Sequence, residues 1–494
     1  MSESSTIAVE RHRAAAKKLP KATLLIGEER RASGDAGVHV HVDPATGEPT
    51  AELPVAGAKA VDDAVRAARR GFEVWSGLAP HVRRERLTVF AKLIRERFEE
   101  IGTLCSIENG ATAMFNQFAT PMLEWPAYYA GWADKIEGQV VARMPAEHFE
   151  YIVPEPYGVI ACIIPWNAPF ISLCMKVPPA LAAGNSVVIK PPETTPFSSL
   201  RFAELALEAG IPPGVVNVVP GGVEAGEALV THPGVDKISF TGGTPTAQRI
   251  MAAAARNLTP VMFELGGKSA NLIFEDADLA QVIPYTAYFG MVNAGQACAL
   301  PSRVLVQDGI FDQVVEQVLG AIGTIGIGDP FDPGVYMGPL YQKGHMERVL
   351  SYIDEAKASS GGRLALGGHR LGGGLACGNY VAPTVFLEPS PDSRLAQEEA
   401  FGPVMAIFRF KTEDEAIALA NSTQWGLAAY VQTTNLARAH RVAAKLRSGV
   451  VHMNGAPNVH YSGTFGGVGK SGFGREGGKP GLDEYLRFKG ISTR

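Results

Sequence analysis

The chain has 494 residues, 46% of them hydrophobic and 19% charged, with a formal net charge of −5. That length is too great for one hydrophobic core and implies two or three domains, while so mild a charge gives no footing for nucleic acid or an anionic membrane as partner. The five cysteines, Cys105, Cys162, Cys174, Cys298 and Cys377, are odd in number and form no CxxC pair; this excludes a disulfide framework and a zinc site, points to no metal, and fits a reducing, cytoplasmic setting.

Residues 1–20 contain Arg11, Arg13, Lys17 and Lys18 but no apolar core, so they read as a loosely held arm rather than a signal peptide. No apolar run approaches the ~20 residues that cross a bilayer. Stretches 60–72 and 83–101 place apolar residues at helical spacing with charges opposite, which predicts two amphipathic helices. Segments 138–141 and 149–153, split by a polar turn containing proline, predict a hairpin. The run YGVIACII (157–164) is continuously apolar, rich in β-branched residues and stopped by Pro165, the pattern of a strand buried on both faces. Segments 186–189, 215–219 and 237–240 repeat it, and 200–209 between them is helical, so parallel βαβ units are predicted. The alternation resumes after Lys268, with strands at 269–274, 303–306 and 404–410 and helices at 279–292, 311–322 and 412–420. Pro330, Pro333, Gly334, Gly338 and Pro339 mark a loop-rich passage between them. Segment 462–478 is glycine-dense and reads as loop, and 481–490 is short enough for one added strand. The chain therefore reads as two α/β domains with smaller connecting pieces.

Five stretches could carry chemistry. In Gly295-Gln296-Ala297-Cys298 a thiol follows a glycine between small alanines, leaving room for an electrophile if the setting favours the thiolate. Phe240-Thr241-Gly242-Gly243-Thr244 follows a strand and opens a helix, where backbone N–H groups can meet a phosphate. Lys190-Pro191-Pro192-Glu193 leaves the end of a buried strand, with groups able to bond a ribose diol. Asn167, between Pro165 and Pro169, presents a side-chain amide on a restrained backbone and could donate to an oxyanion. Glu264, ahead of Gly266 and Gly267, could act as a general base if its cleft is partly apolar. Each has a plain structural counterpart: a buried filler cysteine, a β–α turn, a solvated loop, a turn asparagine and an exposed carboxylate.

Taken together, PWNAPF (165–170), KPPETTP (190–196), FTGGT (240–244), ELGGKS (264–269), GQAC (295–298), EEAFGPV (398–404) and FGGVGKSGFGRE (465–476) resemble, in order and spacing, the motifs of the NAD(P)-dependent aldehyde dehydrogenase superfamily. The resemblance runs from about Val42 to Lys489. It implies a Rossmann-like cofactor domain, an α/β catalytic domain and a small β oligomerisation extension. The boundaries expected are an arm at 1–20, cofactor domain at 21–136 and 156–263, and catalytic domain at 264–447. Bridging segments follow at 137–155 and 480–494, and a glycine-rich segment at 448–479 returns to the cofactor domain.

By the same resemblance Cys298 is the nucleophile, Asn167 with the Cys298 N–H forms the oxyanion hole, and Glu264 is the base that hydrolyses a thioester. Lys176 and Glu476 match a proton relay behind that base. Lys190 and Glu193 match ligands of the adenosine ribose, and Glu399 with Phe401 matches the nicotinamide side. Ile164, Pro165, Trp166, Phe240, Thr241, Gly242, Gly243 and Leu265 complete the implied cofactor contacts. The chain departs from the common pattern at Gly243, Pro245, Ala247, Thr464 and Gly469. On the substrate side Ala168, Met175 and Val459 stand where relatives often carry aromatics, with Ala297, Leu300, His460 and Tyr461 as further wall positions. These imply a medium to bulky hydrophobic or aromatic aldehyde, with NAD favoured over NADP by the Glu193 carboxylate. The partners expected are a small-molecule aldehyde and copies of the same chain in a dimer or tetramer. Alternatives are a CoA-acylating semialdehyde dehydrogenase, which typically lacks the base, or a non-enzymatic relative.

Overall fold

The computed structural model describes residues 7–141, 149–359, 362–455 and 459–493. Two mixed sheets dominate it. The first contains β1 (Leu24–Ile26), β2 (Glu29–Arg31), β3 (Val159–Ile163), β4 (Ser186–Lys190), β5 (Val216–Val218), β6 (Lys237–Gly242) and β7 (Val261–Leu265), in the order β2-β1-β5-β4-β3-β6-β7. Strands β3 to β7 pair in parallel and β1 and β2 close one edge antiparallel. Every residue of β3 and β4 is buried. Val159, Ala161 and Ile163 enter one apolar cluster, and Ile160 and Cys162 another. A continuous apolar run is what a strand covered on both faces requires. The helix Ala58–Ser76 covers one face with Ala60, Val61, Ala64, Val65 and Ala68, small residues that let helix and sheet approach closely.

The second sheet contains β8 (Ala270–Ile273), β9 (Arg303–Gln307), β10 (Arg363–Leu366), β11 (Thr384–Leu387), β12 (Val404–Phe410), β13 (Ala428–Gln432) and β14 (Val450–Met453), in the order β10-β11-β12-β9-β8-β13-β14. Among the described strands of this sheet only the β10–β11 pair is antiparallel. A third, antiparallel sheet joins Gln139–Val140, Phe149–Pro156 and Leu486–Thr493, with Leu486 opposite Pro156 and Thr493 opposite Phe149. The turn of the expected hairpin, 142–148, lies outside the described residues.

Several elements differ from the sequence reading. The stretch 83–101 belongs to two helices, Pro80–Glu96 and Phe98–Asn109, because Arg97 leaves helical geometry at φ −106° and ψ 13°. The helix expected over 279–292 is regular only from Leu279 to Pro284; a wide turn follows over Tyr285–Phe289, where the chain passes a proline with no N–H to donate. The described part of the N-terminal arm, from Ile7 on, is docked rather than loose. Helix Val9–Ala16 buries His12, whose Nδ1 lies 2.6 Å from Asp43 and whose Nε2 lies 3.0 Å from Asp329. Val450–Met453 belongs to the second sheet, so that sheet extends past residue 447 into the segment 448–479 expected to return to the cofactor domain. Within that segment Gly472–Phe473 pairs antiparallel with β7, Phe473 lying opposite Phe263. A helix, Gly478–Asp483, occupies the start of the segment read as a terminal strand. No helix among the described residues is long and apolar enough to cross a membrane.

Candidate active site

The C-terminal ends of β3, β6 and β7 open toward the second sheet. There Asn167, Glu264 and Cys298 line one cavity of about 740 Å³. Asn167 leaves β3 just before the helix Pro169–Ala182, which begins on Pro169. Its amide nitrogen donates to the Gln296 carbonyl at 2.8 Å. Its own backbone carbonyl accepts from Asn293 Nδ2 at 3.2 Å and from Asn109 Nδ2 at 3.4 Å. Position and direction of the side-chain amide are thus set by three residues from two segments, and among the described residues its second N–H has no acceptor, leaving it for a ligand.

Cys298 is delivered by an unusual turn. Asn293, Ala294 and Gly295 take positive φ in succession, at 51°, 53° and 73°. Gly295 also passes so close to another loop that a Cβ there would lie 2.0 Å from the Gly402 carbonyl oxygen. Gln296 pins the turn from the other side. Its Nε2 donates to the carbonyls of Asn293 at 2.9 Å and Pro339 at 3.3 Å, and its Oε1 accepts from the Tyr341 N–H at 3.0 Å. The thiol then sits partly exposed in the cavity. Burial pushes its pKa up to about 12, and Glu399, Glu264 and Glu476 add to the rise. The electropositive setting that an activated cysteine needs is therefore not supplied by the surrounding side chains, and the sulfur rests as a thiol.

Glu264, the fourth residue of β7, is only 3% exposed. Among the described residues neither of its carboxylate oxygens has a hydrogen-bond partner. Burial raises its pKa well above the ordinary range, and Glu476 raises it further, while Lys176 and Arg475 pull it back. The exposed end-of-strand reading is thus excluded. Behind it Lys176, fully buried, makes a 2.5 Å ion pair with Glu476 and donates to Ser239 Oγ at 3.1 Å. Glu476 lines the cavity and Lys176 does not.

The same cavity extends along Pro165, Trp166, Thr241, Gly242, Gly243 and Leu265 to Glu399 and Phe401. Gly243 precedes helix Thr244–Ala254, whose first turn has no side-chain cap, so its N–H groups are available to phosphate oxygens. A Cβ on Gly242 would strike the Phe240 ring at 2.5 Å. Glu399 Oε1 accepts from the Gly267 N–H at 3.0 Å, and a Cβ on Gly266 would lie 2.0 Å from Glu399 Oε2. Trp166 stacks on Tyr341 with ring centroids 3.5 Å apart and meets Phe401 edge-on at 5.4 Å. Glycine-lined approach, free helix N–H groups and a carboxylate for hydroxyls fit a dinucleotide. Ile164 and Phe240 are buried in the core beneath this surface. Lys190 and Glu193 lie outside the cavity, at the end of β4. The Lys190 amine donates to the carbonyls of Gly221 and Pro191, and Glu193 packs beside Gly222.

On the far side of Cys298, Ala168, Met175, Ala297, Leu300 and Val459 line the cavity. His460 and Tyr461 do not; their rings pack on each other at 4.0 Å, and Tyr461 also meets Tyr128 at 5.0 Å. Sequence reasoning missed Phe115, Phe118, Met122 and Ile171, which line this chamber together with Met175, and also Phe289 and Phe465. Their only signal is apolar spacing, which a core helix shares. Phe118, 52% exposed, is the one that a buried-core reading cannot explain.

A family model described as "Aldehyde dehydrogenase family" matches residues 32–491. An aldehyde dehydrogenase-like protein of Schizosaccharomyces pombe is 40% identical over 454 residues, 91% of each chain. Betaine aldehyde dehydrogenase from Staphylococcus aureus, solved in complex with NAD+, superposes with a TM-score of 0.94 at 35% identity, covering 100% of this chain and 97% of that one. A structure from Burkholderia cenocepacia described as an aldehyde dehydrogenase gives a TM-score of 0.93 at 40% identity, covering 96% and 97%.

Proposed function

Because the chain belongs to the aldehyde dehydrogenase family, we propose that it oxidises a medium to bulky hydrophobic aldehyde to the carboxylate with NAD, through a covalent adduct on Cys298. The observation that carries this reading is the convergence of Asn167, Glu264 and Cys298 on one cavity, with both oxygens of Glu264 unpartnered. When bound, the dinucleotide supplies a hydride acceptor and a local positive charge. Cys298 Sγ, as thiolate, adds to the aldehyde carbon and forms a thiohemiacetal. The oxyanion accepts from the free N–H of Asn167 and from the Cys298 backbone N–H; one such donor is worth ~10²–10³ in rate. Loss of hydride from that carbon restores the carbonyl and leaves a thioester on Cys298.

Glu264, once ionised, takes a proton from the water that attacks the thioester, releasing the carboxylate and the free thiol. Its raised pKa suits a base that must stay weakly solvated beside apolar walls. Glu476 and Lys176 stand behind it to receive the proton. Glu193 accepts from ribose hydroxyls and repels a 2′-phosphate, favouring NAD. The substrate wall of Ala168, Ile171, Met175, Phe115 and Val459 carries no charge, so an apolar tail is accommodated and a charged one loses its hydration without a partner. Chains associate through the third sheet, which exposes Val140, Phe149 and Phe488, into a dimer or dimer of dimers that sedimentation measures.

The test is single-turnover NADH formation from a medium-chain or benzaldehyde-type substrate. Cys298→Ala is expected to bind NADH and form none. Glu264→Gln is expected to release one NADH per site in a burst and then turn over slowly. Full steady-state rates in either variant, or a wild-type rate that depends on added coenzyme A, refute the hydrolytic reading.

A further inference from the structure

Next to the nucleophile lies a chamber of about 20 Å³ lined by Gly267, Lys268, Cys298, Ser302 and Glu399, space for one water. Lys268 is only 3% exposed. Among the described residues its ammonium has no hydrogen-bond acceptor and no ion pair, although its backbone carbonyl accepts from Arg303 Nε at 2.9 Å. Glu399 across the chamber is equally underused: its carboxylate receives one hydrogen bond, from the Gly267 N–H. An ammonium and a carboxylate, each removed from water and each incompletely bonded, lower one another's burial cost when they share a chamber.

We propose that Lys268 is the positioning counter-charge of Glu399, holding that carboxylate ionised against the Gly266–Gly267 backbone so that it can accept from the nicotinamide ribose hydroxyls. This rests on the proposed NAD reading and assigns Lys268 no contact with substrate or cofactor. Burial, with Arg303 adding to it and Glu399 and Glu398 opposing it, brings Lys268 down to about 7. Burial likewise pushes Glu399 up to about 7, against the Gly267 N–H, Lys268 and Arg348. Each group thus favours the ionised form of the other. Removing Lys268 raises the carboxyl further, and ribose binding then fails at pH values where the intact pair still holds it.

The test is NADH titration of the full chain by fluorescence, without aldehyde, from pH 6 to 9. Lys268→Met is expected to weaken NADH binding about tenfold at pH 6.5, to recover toward pH 9, and to raise KM for NAD more than it lowers kcat. Lys268→Arg is expected to restore most of the affinity. Glu399→Gln is expected to weaken binding with a flat pH profile, and Lys268→Met added to it to have no further effect. Additive losses in the double variant, or an unchanged pH profile in Lys268→Met, overturn the proposal. Should Lys268→Met fail to fold, Lys268→Gln carries the same test: an acid limb moved to higher pH than in the wild type supports the pairing, and an unmoved limb overturns it. Wild-type protein that binds no NADH at any pH would instead refute the cofactor reading itself.

Discussion

Gly295→Ala tests the claim that the turn before Cys298 is held by contact with another loop. The new methyl would lie 2.0 Å from the Gly402 carbonyl oxygen, 2.2 Å from its carbon and 2.6 Å from Pro403 N. Ordinary contacts begin near about 3.5 Å, so 3.5 minus 2.0 leaves a retreat of about 1.5 Å. Positive φ at 73° adds about 1–2 kcal/mol of strain for a residue with a Cβ. The turn cannot shift freely, because Gln296 is bonded to Asn293, Pro339 and Tyr341; Cys298 therefore moves relative to Asn167. A misplacement of about 1 Å can cost ~10²-fold in rate. Stopped-flow NADH bursts should fall by about that factor, with NADH affinity retained and the melting temperature lowered by a few degrees. A burst rate within about threefold of wild type would show that the loop contact does not position the sulfur.

Three further outcomes follow from the same geometry. With the Cys298 thiol at about 12, its alkylation by iodoacetamide in the cofactor-free protein should rise about tenfold per pH unit between 7 and 10, followed by peptide mass spectrometry; a flat rate over that range contradicts the electrostatics. His12 is raised from 6.5 to about 9 despite its burial, by Asp329 and Asp43. Its stabilising contribution is therefore complete below pH 6.5 and is lost as pH climbs through about 9. His12→Ala should cost about 3 kcal/mol at pH 6 in denaturant titrations and much less at pH 10, and an equal cost at both pH values contradicts the clamp. Ala168→Phe should lower kcat/KM for benzaldehyde-type substrates by ~10–200-fold while sparing acetaldehyde; equal losses for both would place the tail elsewhere.

The βαβ alternation was legible because strands buried on both faces must be apolar throughout, as β3 and β4 are, and because helices such as Ala58–Ser76 keep their small residues at one spacing. Asn167, Glu264 and Cys298 were legible as motifs and as types of chemistry. Helix breaks at Arg97 and beyond Pro284 were less so, since the apolar spacing continues on both sides of each. The substrate wall was half visible: Met175 and Val459 lie within or near motifs, whereas Phe115 and Phe118 carry no signal that distinguishes a chamber wall from a core helix.

Residue types and local order were thus set by the sequence alone: which segments form strands, which thiol, amide and carboxylate are candidates, and where glycine is required. Tertiary structure decided the protonation of those groups and their partners. Cys298 is a thiol because packing from distant segments buries it and Glu399, Glu264 and Glu476 add to the effect, and Lys268 shares a chamber with Glu399 although 131 positions separate them. Burial and electrostatics depend on what other segments bring to a point in space, and no single stretch of chain encodes that.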